Sequence, residues 1–249
     1  MIDLHCHILP GVDDGSSSEE ESCRMARLAV ESGVTAVCAT PHCNVPGCFD
    51  NYRTEALEER FLRLARLLRE RDIPLRLYAG MEVYVTPETP RHLREGKLLT
   101  LGGSRYLLVE FGFEAPFSFA QRMLEEISAA GAVPVVAHPE RYRFAQEDRG
   151  CLLRWIEAGW ALQINKGSLF GRFGRRAART AHWCLGEGCM HLIGSDAHSP
   201  YRRTPWLEDA RSYVAEYTAP EIADFLLEEN PRRVLENQEI VTDEPIWFE

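Results

Sequence analysis

Metal-ligating side chains recur at the ends of short apolar runs along this chain, and that recurrence restricts the fold more than any other feature. The runs at residues 2–4, 34–39, 75–79, 106–109, 133–137, 160–164 and 191–193 are β-prone, and a helix-like stretch follows most of them. One marker per run (His5, His42, Glu82, Glu110, His138, Asn165, Asp196) gives intervals of 37, 40, 28, 28, 27 and 31 residues. That is about the length of a βα unit, roughly 30 residues. Parallel strands with polar residues gathered at their C-terminal ends describe a TIM-like βα barrel, whose chemistry sits on that face. The expected fold is α/β, a barrel of seven βα units in one domain over residues 1–249.

Local signals agree with that pattern. Ser16–Ser18 precede Glu19-Glu20-Glu21, a capping segment and three acids at the positive end of a helix that should run to about Ser32 and stop at Gly33. Helices are predicted over about 52–71, 118–130, 150–158 and 172–186. Residues 86–101 read as irregular or briefly helical. The chain after His198 reads as mainly helical, closing with Asn230-Pro231 and a polar tail.

Composition narrows the functional classes. A net charge of −10 argues against nucleic acid as the main partner. No run approaches the ~20 apolar residues of a membrane span. The chain enters its first strand at Ile2 with no charged leader and apolar stretch, so a cytoplasmic protein is expected. Lys97 and Lys166 are the only lysines. The eight cysteines form no C-x-x-C pair and read as reduced thiols, although Cys43 and Cys48 flank a loop beside His42. None is followed by Arg six positions later, so the phosphate loop of cysteine-dependent phosphatases is absent.

His5 and His7 are two apart on a strand end and project the same way. Asp196 and His198 repeat the device on the last strand, which neighbours the first once a barrel closes. Glu82, Glu110 and His138 add three groups from consecutive strands, and Asp14 and His42 sit in loops on the same rim. Any one of these could be structural. Together they place five of the eight histidines at strand ends, which chance explains poorly. His92, His182 and His191 read as surface or packing residues. Asp13 and Asp14 are adjacent, and one of them could simply make an Asx turn; Asp14 is favoured as the ligand. Mixed imidazole and carboxylate donors favour Mn, Fe or Zn, and their number suits two or three divalent ions, with Glu82 able to bridge. Arg141, just past the fifth strand, can grip a phosphate bidentately, its alternative being an ion pair with Glu140 or Asp148.

The motifs Asp3-Leu4-His5-Cys6-His7, Pro41-His42, Gly80-Met81-Glu82, His138-Pro139-Glu140-Arg141-Tyr142 and Ser195-Asp196-Ala197-His198 resemble those of the PHP (polymerase and histidinol phosphatase) superfamily over nearly the whole chain. His7–Gly15 and His138–Tyr142 are similar in more detail to the bacterial capsule-associated, metal-dependent protein-tyrosine phosphatases of the CpsB/YwqE type. The resemblance implies a distorted barrel of seven βα units with three metal ions, commonly manganese. By matching motifs, His5, His7, Glu82 and Asp196 would hold the first ion. Glu82, Glu110 and His138 would hold the second, and Asp14, His42 and His198 the third. Arg141 and Arg203 match arginines that contact phosphate, although Arg202 stands beside Arg203. The implied substrate is phosphotyrosine in a protein, the tyrosine-rich tail of a membrane kinase controlling exopolysaccharide export.

The chemistry of such a site is hydrolysis by metal-activated hydroxide. A tyrosine phenolate, with a conjugate acid near pKa ~10, leaves with little help. No spare general acid is evident, although His198 or a metal-bound water could donate. Three other readings stay open at this point. One is a small-molecule phosphoesterase such as a histidinol phosphatase. A second is a metal-binding interaction module without turnover, and a third is an amidohydrolase using Lys166. Tyr84, Phe170 and Phe173, in loops expected to rim the pocket, could stack on an aryl group or simply pack the loops.

Overall fold

Alternation along each strand sorts side chains between a barrel interior and an outer helical layer. The computed structural model describes residues 1–241, so the end of the expected polar tail and of the 1–249 domain lies outside the described residues. The strands are β1 (Ile2–Cys6), β2 (Ala36–Ala39), β3 (His42–Cys43), β4 (Arg76–Ala79), β5 (Glu82–Tyr84), β6 (Tyr106–Glu110), β7 (Val133–Ala137), β8 (Ala161–Asn165) and β9 (Leu192–Gly194). Every ladder is parallel. They form one sheet in the order β1-β2-β4 and another in the order β3-β5-β6-β7-β8-β9.

Two expected strands are therefore each broken in two. The second run kinks between β2 and β3 at Thr40-Pro41, where Pro41 supplies no backbone donor, and the third kinks between β4 and β5. Their first halves pair in the small sheet and their second halves in the large one, while Glu82 N still donates to Pro41 O across the kink (3.1 Å). Counting each broken pair once leaves the seven βα units expected. A single parallel bridge, Cys6 with Ala197, joins the first strand to the last. It is flanked by His7 N donating to Ala197 O (2.9 Å) and Asp196 N to His5 O (2.8 Å). No ladder joins β4 to β6 among the described residues. The barrel is distorted for that reason.

The helices are α1 (Glu19–Glu31), α2 (Glu55–Glu70), α3 (Thr89–Arg94), α4 (Phe117–Ala129), α5 (Arg143–Glu147), α6 (Gly150–Glu157), α7 (Lys166–Leu169), α8 (Arg175–Gly186), α9 (Glu208–Tyr217), α10 (Pro220–Asp224) and α11 (Asn230–Leu235). Ser18 Oγ accepts from Glu21 N at the start of α1, and Thr54 caps α2. The helix expected from residue 172 begins later, at Arg175, because Gly174 has φ 91, outside any right-handed helix.

Inside the barrel, Ile2, Leu4, Cys38, Leu108, Val135, Ala137, Ala161 and Leu192 pack together, with Val234 of α11 and Ile240 closing the N-terminal end. Their neighbours Val37, Leu107, Val109, Val136, Leu162 and Ile193 face outward onto helix residues such as Phe61, Met123 and Trp155. The interior is a packed core, and the C-terminal rim is left for chemistry.

Candidate metal centre

β1 carries an irregularity between Asp3 and Cys6 relative to β2, in which the two residues Leu4 and His5 oppose Cys38 alone. Such a bulge re-aims side chains, and here Leu4 joins the interior while His5 also turns toward it. Gly194 makes room: a Cβ there would lie 2.9 Å from His5 Cβ and 2.8 Å from Gln163 Nε2.

His5 Nδ1 donates to Gln163 Oε1 (2.7 Å). That leaves Nε2 3.2 Å from Glu82 Oε1 and 3.6 Å from Asp196 Oδ1. His7 is held in the same manner. Its Nδ1 donates to Asp13 Oδ2 (2.8 Å), and its Nε2 lies 3.2 Å from Glu82 Oε2 and 3.6 Å from Asp196 Oδ1. The two Nε2 atoms are 3.3 Å apart. With both protons on Nδ1, the lone pairs of two imidazoles converge on two carboxylates.

Around this centre the structure gathers all nine residues expected at the rim. Ligand atoms lie within 4.8 Å of one another in four groups: His5, His7 and Asp196; His7, Asp14, His42 and His198; His5, Glu82 and His138; His42, Glu82 and Glu110. The second group contains the expected third set, and the first holds three of the four residues of the expected first set, with the fourth, Glu82, 3.2 Å from Nε2 of both His5 and His7. The second set is redistributed, because His138 reaches Glu82 from the His5 side (3.0 Å) and Glu110 approaches His42 Nδ1 (3.5 Å). Asp13 does close a turn, accepting from Gly15 N, and it also accepts from His42 N (2.9 Å). Asp14 Oδ1 lies 3.5 Å from both His42 Nε2 and His198 Nε2.

Burial and charge act on these groups together. His5, His7 and Glu82 are fully buried. Burial opposes ionisation of Glu82, but His5 and His42 outweigh it and hold the carboxyl well below its usual range. Glu110 shifts the other way, pushed up to about 9 by burial and by repulsion from Glu82 and Asp196. Burial drives His138 down to about 4, and the imidazole of His198 beside it, with His42, takes Asp14 down to about 2. Buried His42 Nδ1, Glu82 Oε2, Glu110 Oε2, His138 Nδ1 and His198 Nε2 have no hydrogen-bond partner. Converging acceptors with unmatched buried lone pairs fit divalent cations and fit little else.

Two arginines flank the cluster. Arg141 Nη1 is 3.5 Å from Asp196 Oδ2, and Arg203 Nη2 pairs with the same oxygen. Asn165 Nδ2 also donates to it. Arg202 makes no ion pair among the described residues, and its carbonyl accepts from Ser199 Oγ. Arg141 does not pair with Glu140, whose buried carboxylate accepts from Ser168 Oγ (2.6 Å) and Asn165 N (3.2 Å). His138, Asp196 and Arg203 all adopt left-handed backbone, at φ 36, 49 and 50, a strain that clusters at functional sites.

Of the three aromatic candidates, Phe173 lies on Arg141, whereas Phe170 packs on Tyr213. Tyr84 supplies a backbone carbonyl to Asn44. Phe113, which the sequence did not single out, covers the other face of Arg141. Gln163 was also missed, and its signal was a lone polar residue inside an apolar strand. Cys43 is buried with its thiol pushed up to about 12 by burial, and all eight cysteines are free.

Fold and site together define a distorted parallel βα barrel with a candidate metal centre of histidines and carboxylates on its C-terminal rim. The chain belongs to the family described as capsular polysaccharide synthesis, CpsB/CapC, whose model matches residues 1–236. It is 36% identical to the tyrosine-protein phosphatase YwqE of Bacillus subtilis, over 98% of this chain and 95% of that protein. A crystal structure from work on YwqE of Bacillus subtilis and CpsB of Streptococcus pneumoniae, described as unique metal-dependent tyrosine phosphatases, superposes with TM-score 0.88 at 35% identity. It covers 97% of this chain and 96% of that one. A histidinol phosphate phosphatase from Lactococcus lactis shares the fold at TM-score 0.57 and 19% identity, over 91% of this chain and 94% of that one.

Proposed function

We propose that this protein is a metal-dependent protein-tyrosine phosphatase. The observation that carries this reading is the buried histidine–carboxylate cluster around Glu82, flanked by the guanidinium groups of Arg141 and Arg203. The kinship with YwqE supports the substrate class. His5, His7, Glu82 and Asp196 would hold one ion and Asp14, His42 and His198 another. Glu82 with His138 and Glu110 would complete a third. Manganese suits this mixed nitrogen and oxygen set, with iron or zinc as the other candidates.

Divalent ions held by these residues would activate water as the nucleophile and offset phosphate charge. The chain's own residues do the rest. Asp13 and Gln163 fix the tautomers of His7 and His5, so that Nε2 of each faces the cluster. Arg141 presents a planar fork suited to phosphate oxygens. His198 Nδ1 donates to Asp196 O (3.0 Å), which turns its unprotonated Nε2 toward Asp14. That orientation suits a ligand better than the proton donor weighed for this residue, and a phenolate leaving group needs no strong donor. Phe113, 41% exposed beside Arg141, offers an aromatic face at the mouth for the tyrosine ring.

The substrate we propose is a phosphorylated tail of a membrane tyrosine kinase serving exopolysaccharide synthesis, met in the cytoplasm. The family description supports the pathway. No helix among the described residues is long and apolar enough to cross a membrane. The test compares turnover of a phosphotyrosine peptide with that of histidinol phosphate, with manganese and with chelator. Peptide turnover that survives thiol alkylation and is lost to chelator is expected. A strong preference for the metabolite would move the function to small-molecule metabolism.

A further inference from the structure

Outside the metal cluster, one stretch of the chain is strongly one-sided in charge. Between Glu157 and Glu187 lie 29 residues without an Asp or Glu, and they include Lys166, Arg172, Arg175, Arg176 and Arg179, in a chain of net charge −10. Three of these arginines fall in the first turns of α8, where the helix dipole disfavours cations. α1, α2 and α9 instead open with acids. The surface there is not arranged for helix stability.

Arg149, Arg176 and Arg179, with Gln146 and Glu147, line a recess of about 290 Å³. The nearby acids are engaged by other cations. Glu147 pairs with Arg143 (2.8 Å) and Asp148 with Arg154 (3.5 Å). Arg149 rests on the Trp183 ring, 5.8 Å from its centre. No carboxylate pairs with Arg149, Arg176 or Arg179 among the described residues, and the one carboxylate on the wall, Glu147, is paired with Arg143.

The recess lies on elements that reach the turn carrying Arg141. α5 and α8 both pack against the Pro139–Arg141 turn that carries Arg141. Phe173, on Arg141, precedes Arg176 by three residues, a span of at most ~10 Å.

We propose that this recess is an anion subsite for the polypeptide substrate. It takes a second acidic group, phosphate or carboxylate, on the same polypeptide, roughly three to five residues from the phosphotyrosine at the metal centre. Guanidinium forks match both groups bidentately. The inference rests on the phosphotyrosine reading above.

The test is steady-state kinetics on three phosphotyrosine peptides of equal length. One has neutral flanks, one carries glutamates about four residues away, and one a second phosphotyrosine there. Each is measured with the wild-type protein and with Arg176→Glu/Arg179→Glu, using p-nitrophenyl phosphate as a substrate too small to reach the recess. The expected result is a wild-type KM for an anionic peptide roughly five- to tenfold below that of the neutral one, as two or three exposed charge pairs would give. The double variant loses that preference while keeping its kcat and its turnover of p-nitrophenyl phosphate. A gain for the doubly phosphorylated peptide alone makes the subsite specific for phosphate, and a gain for both makes it a general anion site. Arg176→Ala/Arg179→Ala serves if charge reversal impairs folding. Equal KM for all three peptides, with turnover intact, overturns the subsite and leaves the phosphatase reading standing. Failure to turn over any phosphotyrosine substrate overturns both.

Discussion

The guanidinium carbon of Arg141 lies 4.3 Å from the ring centre of Phe173, and Phe113 covers its other face at 4.4 Å. Phe173 also reaches Arg203, at 5.7 Å. Stacking fixes the plane of the fork without using its five N–H donors, so those not turned toward Asp196 stay free for phosphate oxygens. Arg141→Lys keeps the charge but loses both the fork and the stack. We expect its kcat on a phosphotyrosine peptide to fall about 10²- to 10³-fold, the scale of losing one donor to developing charge, with the melting temperature unchanged. A kcat within about threefold of wild type would remove Arg141 from phosphate binding.

Asp13 touches His7 rather than the cluster itself. Its carboxylate fixes the His7 tautomer and ties the backbone of His42 to the same point. Asp13→Asn should therefore weaken metal binding about 10- to 100-fold, the usual cost of losing a partner behind a ligating histidine. Metal titration of the apo protein by calorimetry reads this directly. Unchanged affinity would mean that His7 is oriented without Asp13.

Glu82 and Asp196 repel Glu110, which, with burial, holds its carboxyl up. Cations that relieve this repulsion stabilise the fold by mass action, about 4 kcal/mol at a thousandfold excess over Kd. Chelator should accordingly lower the melting temperature by about 10 °C in a chain of this size, and returning manganese should restore it. If stripping the metal abolishes turnover without moving the melting temperature, the cluster's repulsion is relieved in some other way.

Much of this site was legible before any coordinates. His5 and His7, and Asp196 and His198, announce themselves because a strand's period of two puts each pair on one side. The regular spacing of Glu82, Glu110 and His138 gives the repeat length of the barrel. What could not be read depends on how strands lie beside one another. The division of the second and third strands between two sheets sets which side Glu82 is approached from, and it sends His138 and Glu110 into different groups. Gln163 and Phe113 escape for the same reason: each matters only through a neighbour contributed by another βα unit. The late start of α8 turns on the positive φ at Gly174, a local property hidden by a helical pattern that runs through it.

His191, set aside from the metal site in the sequence, has a titration of its own. It is 4% exposed, and its Nδ1 accepts from Leu162 N (3.0 Å), a bond that needs the neutral ring. Burial pushes it down from 6.5 to about 4. Above pH 6.5 the ring is neutral in both folded and unfolded chains, and its contribution to stability is fully present. As pH falls from 6.5 toward 4, the unfolded chain takes up a proton that the native state refuses. Stability then drops by up to roughly 3 kcal/mol. His191→Asn places an amide oxygen where it can accept from Leu162 N and cannot titrate. Its urea midpoint should fall less steeply than that of wild type between pH 6.5 and 4. Because the cluster histidines titrate alike in both proteins, the difference between the two curves isolates His191. Parallel curves would show that the native fold tolerates the protonated ring, and that the hydrogen bond from Leu162 is dispensable.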